Sequence, residues 1–302
     1  MNRRQFLATA SAASAAAWPA FAQSGFAFRY IVGSSMYGEL PLAEIVPDVP
    51  KTGAEFLDIW PRKHGNQREQ VTEMGEDAFA AMLKPHGVKL ACSTRYDLGP
   101  FGLTDEIAFV SRLGGDLIVT GGSGPKDAKG DALKTAVKEF CEKLKPHAEA
   151  AAAAGVRLGI ENHGNNLIDS PDSLKWLAEF RPNEAIGIAL APYHLEALGL
   201  DAPMLADLIT ALGDRTVMFY AWQYGNSCMK PMPKELELLQ MPGRGDLDFG
   251  PLVAALKKIE YRGYTEIFMH PTPRGIPILP TAAQVTAEIN RGRQYLESLL
   301  AH

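Results

Sequence analysis

Val156 to Gly164, VRLGIENHG, is a strand-length apolar run that ends abruptly in a carboxylate, an amide and an imidazole. Gly155 precedes it and closes a long helical pattern from Lys134 to Ala154. An apolar run of this length behind a helix-closing glycine reads as a buried parallel strand. It delivers Glu161, Asn162 and His163 to the strand's C-terminal end, where parallel-barrel enzymes keep their chemistry. The alternative is that Glu161 only caps the following loop. Buried strand ends seldom carry an uncompensated carboxylate, which favours the functional reading.

Working outward, strand-like runs alternate with helix-like ones. The strands are expected at Phe28–Val32, Phe56–Trp60, Val88–Ser93, Asp116–Thr120, Val156–Glu161, Ala185–Leu190, Thr216–Ala221 and Thr265–Met269. Helix starts show at Thr104-Asp105-Glu106 and at Ser170-Pro171-Asp172, where a capping serine precedes a first-turn proline. Further helices are expected over Asp248–Ile259 and Ala282–Leu300. Eight strands close a barrel, and no low-complexity linker divides the chain. The expected fold class is α/β, a single-domain (β/α)8 TIM barrel over residues 23–302.

Residues 1–22 read differently. Asn2-Arg3-Arg4-Gln5-Phe6-Leu7, an alanine-rich uncharged run and Ala20-Phe21-Ala22 resemble a twin-arginine export signal. The expectation is cleavage near Ala22, a chain beginning near Gln23, and a periplasmic location. No segment approaches the roughly 20 apolar residues of a membrane span. The formal charge is -5, and it becomes -7 without Arg3 and Arg4 (28 basic against 35 acidic residues). With no basic stripe, nucleic acid is not an expected partner. Cys92, Cys141 and Cys228 are odd in number and widely spaced, which excludes a disulfide framework and a Cys-x-x-Cys metal knuckle. A homo-oligomer is compatible with the sequence.

Two expected strand-end loops are longer than a minimal barrel needs. Pro61–Gly75 carries Arg62, Lys63, His64, Asn66, Gln67 and Arg68. Gln223–Gly245 carries Asn226, Cys228 and Lys230 and leads into Met241-Pro242-Gly243-Arg244-Gly245-Asp246. Such loops are either solvated connections or substrate-contact loops. Trp60, Trp222 and Tyr224 add ring faces beside many hydrogen-bonding groups, a mixture suited to a small-molecule carbohydrate.

The chain resembles the xylose-isomerase-like TIM barrels, a family of sugar isomerases and epimerases and their relatives. The resemblance covers essentially all of it beyond residue 22. It is carried by Gly155–His163, by Gly187–Gly199 (GIALAPYHLEALG), and by Pro242–Asp246 leading to Tyr261-Arg262-Gly263-Tyr264. It implies one divalent metal (Mn, Mg or Zn) held by Glu, Asp, His and Glu at the ends of strands five to eight. Glu161 matches the first of these. Where the family reads Asp-Pro-Gly-His, this chain reads Ala191-Pro192-Tyr193-His194. A pattern like His-Ala-Lys-Asp meets Tyr220-Ala221-Trp222-Gln223, and the last glutamate falls on Phe268. One carboxylate cannot hold a hard cation against water, so the family site is mostly lost. Glu161, His194 and His270 are the residues from which a Zn²⁺ or Mn²⁺ site would be rebuilt.

The resemblance and the residues together nominate Glu161, His194 and His163 as catalytic. His163 either orients Glu161 or transfers a proton itself. Trp60, Arg62, His64, Tyr220, Trp222, Gln223, His270 and Arg274 are the expected substrate-binding residues. His86 and His147 follow Lys-Pro pairs near expected helix ends and read as structural. Glu161 should lie within hydrogen-bonding reach of an imidazole from His194 or His270, directly or through one water. Three functions fit: an isomerase, epimerase or lyase acting beside a sugar carbonyl, a periplasmic sugar-binding barrel without turnover, and a subunit completed by a partner.

Overall fold

A computed structural model describes residues 25–301. Eight strands, β1 (Arg29–Gly33), β2 (Phe56–Ile59), β3 (Lys89–Thr94), β4 (Leu117–Gly121), β5 (Arg157–Glu161), β6 (Ile186–Leu190), β7 (Thr216–Ala221) and β8 (Tyr264–Ile267), close into a barrel in chain order. Every neighbouring pair is parallel, including β8 with β1. Helices cross between the strands, as parallel connections require. The α/β barrel read from the sequence is the observed fold, with strand ends moved by at most two residues and β7 where expected. The expected export signal lies outside the described residues. No helix among the described residues is long and apolar enough to cross a membrane.

The strands form where the sequence is apolar on both faces, because one face meets the barrel interior and the other the helices. Leu57, Ile59, Leu117, Val119, Leu158, Ile160, Ile186 and Leu190 are fully buried. Each such side chain contributes roughly 1.5–3 kcal/mol relative to exposure. The helix Gly130–Ala153 starts four residues before the expected Lys134, and Gly155 ends it with φ 69°, a conformation costly to any residue with a Cβ. Ser170 caps Pro171–Phe180 in a reciprocal box with Ser173, and Thr281 does the same for Ala282–Ser298 with Gln284.

Three local expectations need correction. Pro61–Gly75 is not one loop, because Gln67–Met74 is helical. Its buried Gln67 amide donates to Gly38 O and Leu40 O, and Arg68 pairs with buried Glu106 at 2.8 Å. The segment after β7 likewise folds into a helix Lys234–Glu237 and a 3-10 turn Leu238–Gln240. His147 lies inside Gly130–Ala153 rather than near its end, with its ring 5.7 Å from that of Phe101.

Register gathers polar side chains inside the barrel. Gly33 pairs with Asp58, Asp58 with Cys92, and Tyr220 with Glu266. Asp58 and Glu266 are fully buried. Glu266 fits only because residue 33 is glycine: a Cβ there would stand 2.0 Å from Glu266 Oε1.

Candidate active site

Glu161 ends β5, hydrogen-bonded between β4 at Gly121 and β6 at Ala189, and is 4% exposed. The hydroxyl of Tyr96, just past β3, donates to its Oε2. Burial, opposed by that hydrogen bond and reinforced by nearby Asp58, pushes the carboxyl up to about 8. Glu161 is therefore largely protonated at neutral pH.

His194 faces the other oxygen, with Nε2 3.7 Å from Glu161 Oε1. That is too long for a direct hydrogen bond, the first of the two arrangements, direct or through one water, expected of the pair. Gly164 N donates to His194 Nδ1 at 3.3 Å, which leaves the proton of the neutral ring on Nε2, toward Glu161. Burial holds the imidazolium form down to about 3, so the ring stays neutral. A ligand oxygen beside the Glu161–His194 line is within reach of both.

His163 does not take the orienting role expected of it. Its Nδ1 meets Gly164 O at 2.8 Å, and its exposed ring packs against His194 at 4.2 Å and Tyr96 at 5.7 Å. Tyr96 is the group hydrogen-bonded to Glu161. Asn162 is a clamp: its amide donates to Ala191 O at 3.0 Å and accepts from Ala191 N at 2.8 Å, tying the end of β5 to that of β6.

A band of rings continues from His194 around the mouth. Trp222 lies 5.2 Å from His194 and 5.3 Å from His270. His270 lies 4.6 Å from His64, and Trp60 stacks on Phe268 at 5.5 Å. The wall residues expected from sequence thus split. Trp60, His64, Trp222 and His270 join the band. Arg62 is exposed beside Glu39, and the Gln223 amide is engaged at both ends, by Met241 O and Leu247 N. Tyr220 is buried inside the barrel near Glu161, Glu266 and Asp58. Arg274 donates to Cys228 O, Pro271 O and Cys228 Sγ, joining the loops after β7 and β8.

Beneath the mouth, Asp58 Oδ2 accepts from Thr94 Oγ1 at 2.7 Å, while Asp58 Oδ1 and both Glu266 oxygens are buried without a hydrogen-bond partner among the described residues. Burial pushes Asp58 up to about 7 and Glu266 well above the usual carboxylate range.

The donor set does not fit the family metal. Ala191, Tyr220 and Phe268 stand at three of the four implied ligand positions. Glu161, His194 and His270 do not assemble, and among the described residues no group of three or more His, Cys, Asp or Glu is arranged to hold a metal ion. The acid-base groups left at the mouth are Glu161, Tyr96 and neutral imidazoles.

Sequence reasoning missed Tyr96, Asp58, Glu266 and Gln240. Gln240 accepts from Trp222 Nε1 at 3.0 Å and donates to His270 O, fixing two rings of the band. A lone carboxylate inside FLDI and inside YTEI was the available signal for Asp58 and Glu266.

The profile of the family described as xylose isomerase-like TIM barrel matches residues 47–295. No curated protein matches the chain. Among solved structures, a xylose isomerase domain protein from Alicyclobacillus acidocaldarius subsp. acidocaldarius is similar at 18% identity, with 91% of this chain and 99% of that one covered and a TM-score of 0.64. D-psicose 3-epimerase with D-tagatose from Clostridium cellulolyticum H10 is similar at 15%, covering 90% and 99%, with a TM-score of 0.67. An IOLI protein with a bound zinc atom is similar at 15%, covering 90% and 98%, with a TM-score of 0.68. At these identities the structural likeness carries the fold alone. The matched segment runs from before β2 to the last helix, and on that ground the chain belongs to the xylose isomerase-like TIM barrel family.

Proposed function

We propose that the protein is an exported carbohydrate-processing enzyme of isomerase or epimerase type, acting by acid-base chemistry at the carbon beside a sugar carbonyl. The observation that carries this reading is Glu161: a buried carboxyl at the barrel mouth, held by Tyr96 on one oxygen and faced by His194 Nε2 at 3.7 Å on the other. In carboxylate form Glu161 takes the proton from carbon, and the His194 Nε2–H donates to the carbonyl oxygen as negative charge grows there. Glu161 then returns the proton from the same face to the neighbouring carbon, the former carbonyl carbon, while His194 passes the hydroxyl proton from one oxygen to the other. With the group raised to about 8, roughly one-tenth is carboxylate at pH 7, a small population of a strong base. The aromatic band supplies faces for a sugar ring, and the structural relatives include an epimerase solved with D-tagatose.

A second reading, a sugar-binding barrel without turnover, draws support from Ala191, Tyr220 and Phe268 at the implied metal positions. Solvent deuterium exchange into ketoses separates the two. The enzyme reading expects label at the carbon beside the carbonyl and its loss in Glu161→Gln. Binding without exchange in the wild type refutes it.

A further inference from the structure

We infer that the ligand of this site is an acidic sugar, one that carries a carboxylate at the end away from its reacting carbonyl. The inference rests on the acid-base reading for where the carbonyl sits, and it stands on the charge inventory of the mouth.

Four imidazoles line that mouth, His64, His163, His194 and His270, joined through contacts of 4.6 and 4.2 Å within pairs and through Trp222 between them. Two of them are at least nine-tenths buried, and each has a ring nitrogen without a partner: His194 Nε2 and His270 Nδ1. His64 Nδ1 is a third such atom. Buried polar atoms of this kind cost free energy unless something accepts or donates to them. They are what a polar ligand would satisfy.

The fixed charges beside them are positive. Arg274 acts on His64, His163 and His270, and Lys63 acts on His64. Neither cation stands in an ion pair with a carboxylate among the described residues. The neighbouring acids are spent elsewhere: Glu39 lies against Arg62, and Glu237 pairs with Lys234 while accepting from Thr272 N. The carboxyls of Glu161, Asp58 and Glu266 are all pushed up by burial, and Glu161 is largely protonated at neutral pH. A chain of formal charge -5 thus presents a cationic mouth at one place. A neutral sugar would leave that charge uncompensated, whereas an anionic group would meet it in a partly desolvated setting where the attraction is strong.

The geometry favours carboxylate over phosphate. A phosphate is characteristically cradled by several free backbone N–H groups at a helix start or nest. Here the turn after β6 spends Tyr193 N on Trp222 O and His194 N on Ala191 O. Arg274 is held by two carbonyls and a thiol, so it contributes a fixed charge, and the ring nitrogens of His64 and His270 contribute the hydrogen bonds.

Isothermal titration of the mature chain at pH 7 with D-tagatose, D-tagaturonate and D-tagatose 6-phosphate tests this. The expected result is tagaturonate at least tenfold tighter than tagatose and tighter than the phosphate, with a preference that shrinks as salt rises from 0.05 to 0.5 M. In Arg274→Gln the ratio of tagaturonate to tagatose affinity should fall toward one. In Arg274→Lys, which keeps the charge but not the loop contacts, it should persist. Equal affinities, a preference for the phosphate, no binding of tagaturonate, or an unchanged ratio in Arg274→Gln would overturn the inference. Deuterium exchange on the same sugars reads the other claim independently. Selective tagaturonate binding without exchange leaves the acidic-sugar inference standing and refutes the acid-base reading, and exchange into tagatose with no acid preference does the reverse.

Discussion

Replacing Glu161 by glutamine should change how stability depends on pH, whatever the substrate. The carboxyl ionises near its ordinary 4.5 when exposed in the unfolded chain, and near about 8 when folded. Between those values the unfolded chain has released the proton and the folded chain keeps it. The folded state binds more protons there, so stability falls as pH rises through that window. The slope approaches about 1.4 kcal/mol per pH unit for one group, with a cumulative loss of at most about 5 kcal/mol above pH 8. Asp58, pushed up to about 7, and Glu266, also raised, act with the same sign, so the wild-type slope is the sum of several groups. Glutamine keeps the volume and an oxygen for the Tyr96 hydroxyl but has no proton to lose. In urea unfolding from pH 5 to 9, Glu161→Gln should lie close to the wild type at pH 5, then gain on it steadily, ending several kcal/mol more stable near pH 9. Parallel curves would mean that Glu161 is not a buried group held protonated, and the reasoning about its chemistry would fail with it.

Gly33→Ala sets a methyl 2.0 Å from Glu266 Oε1 inside a closed barrel, so thermal unfolding should report a loss of about 1–3 kcal/mol. Tyr96→Phe removes the hydrogen bond that favours the Glu161 carboxylate. The pH–rate midpoint should move alkaline and deuterium exchange at pH 7 should fall about tenfold, the order expected for a hydrogen bond to a charged group; a profile that stays in place would separate Tyr96 from the acid-base group. Lysines in place of Arg3 and Arg4 should leave the protein in the cytoplasm, as read by cell fractionation, while the exported form begins near Gln23; export of the double variant would contradict the signal reading.

The barrel was legible because its strands are apolar on both faces and its helices start with local devices such as Ser170-Pro171 and end with Gly155. Those signals are written within a few residues of where they act. Glu161 and His194 were legible for a similar reason, each standing at the end of an apolar run. Tyr96 was not, because its meaning depends on β3 ending beside the mouth and on a partner 65 positions away. Asp58 and Glu266 were hidden by their own strands: a single acid within FLDI or YTEI reads as an interruption until register sets the two against each other across Gly33. Glu161 and His194 were expected to meet directly or through one water, and they stand 3.7 Å apart, the turn that delivers His194 also sending Gly164 N to its Nδ1. Pattern says which side chains arrive at the mouth, and only packing says which of them touch.

The central claim is that Glu161 moves a proton at the carbon beside a sugar carbonyl. Proton NMR in deuterated water, with ketoses and keto-uronates supplied to the purified mature protein, tests it most directly. The account predicts deuterium entering at that carbon, a rate that climbs with pH to a midpoint near 8, and a fall of about 10²–10⁴-fold in Glu161→Gln with sugar affinity within about tenfold. Exchange of equal rate in the wild type and in Glu161→Gln would contradict it.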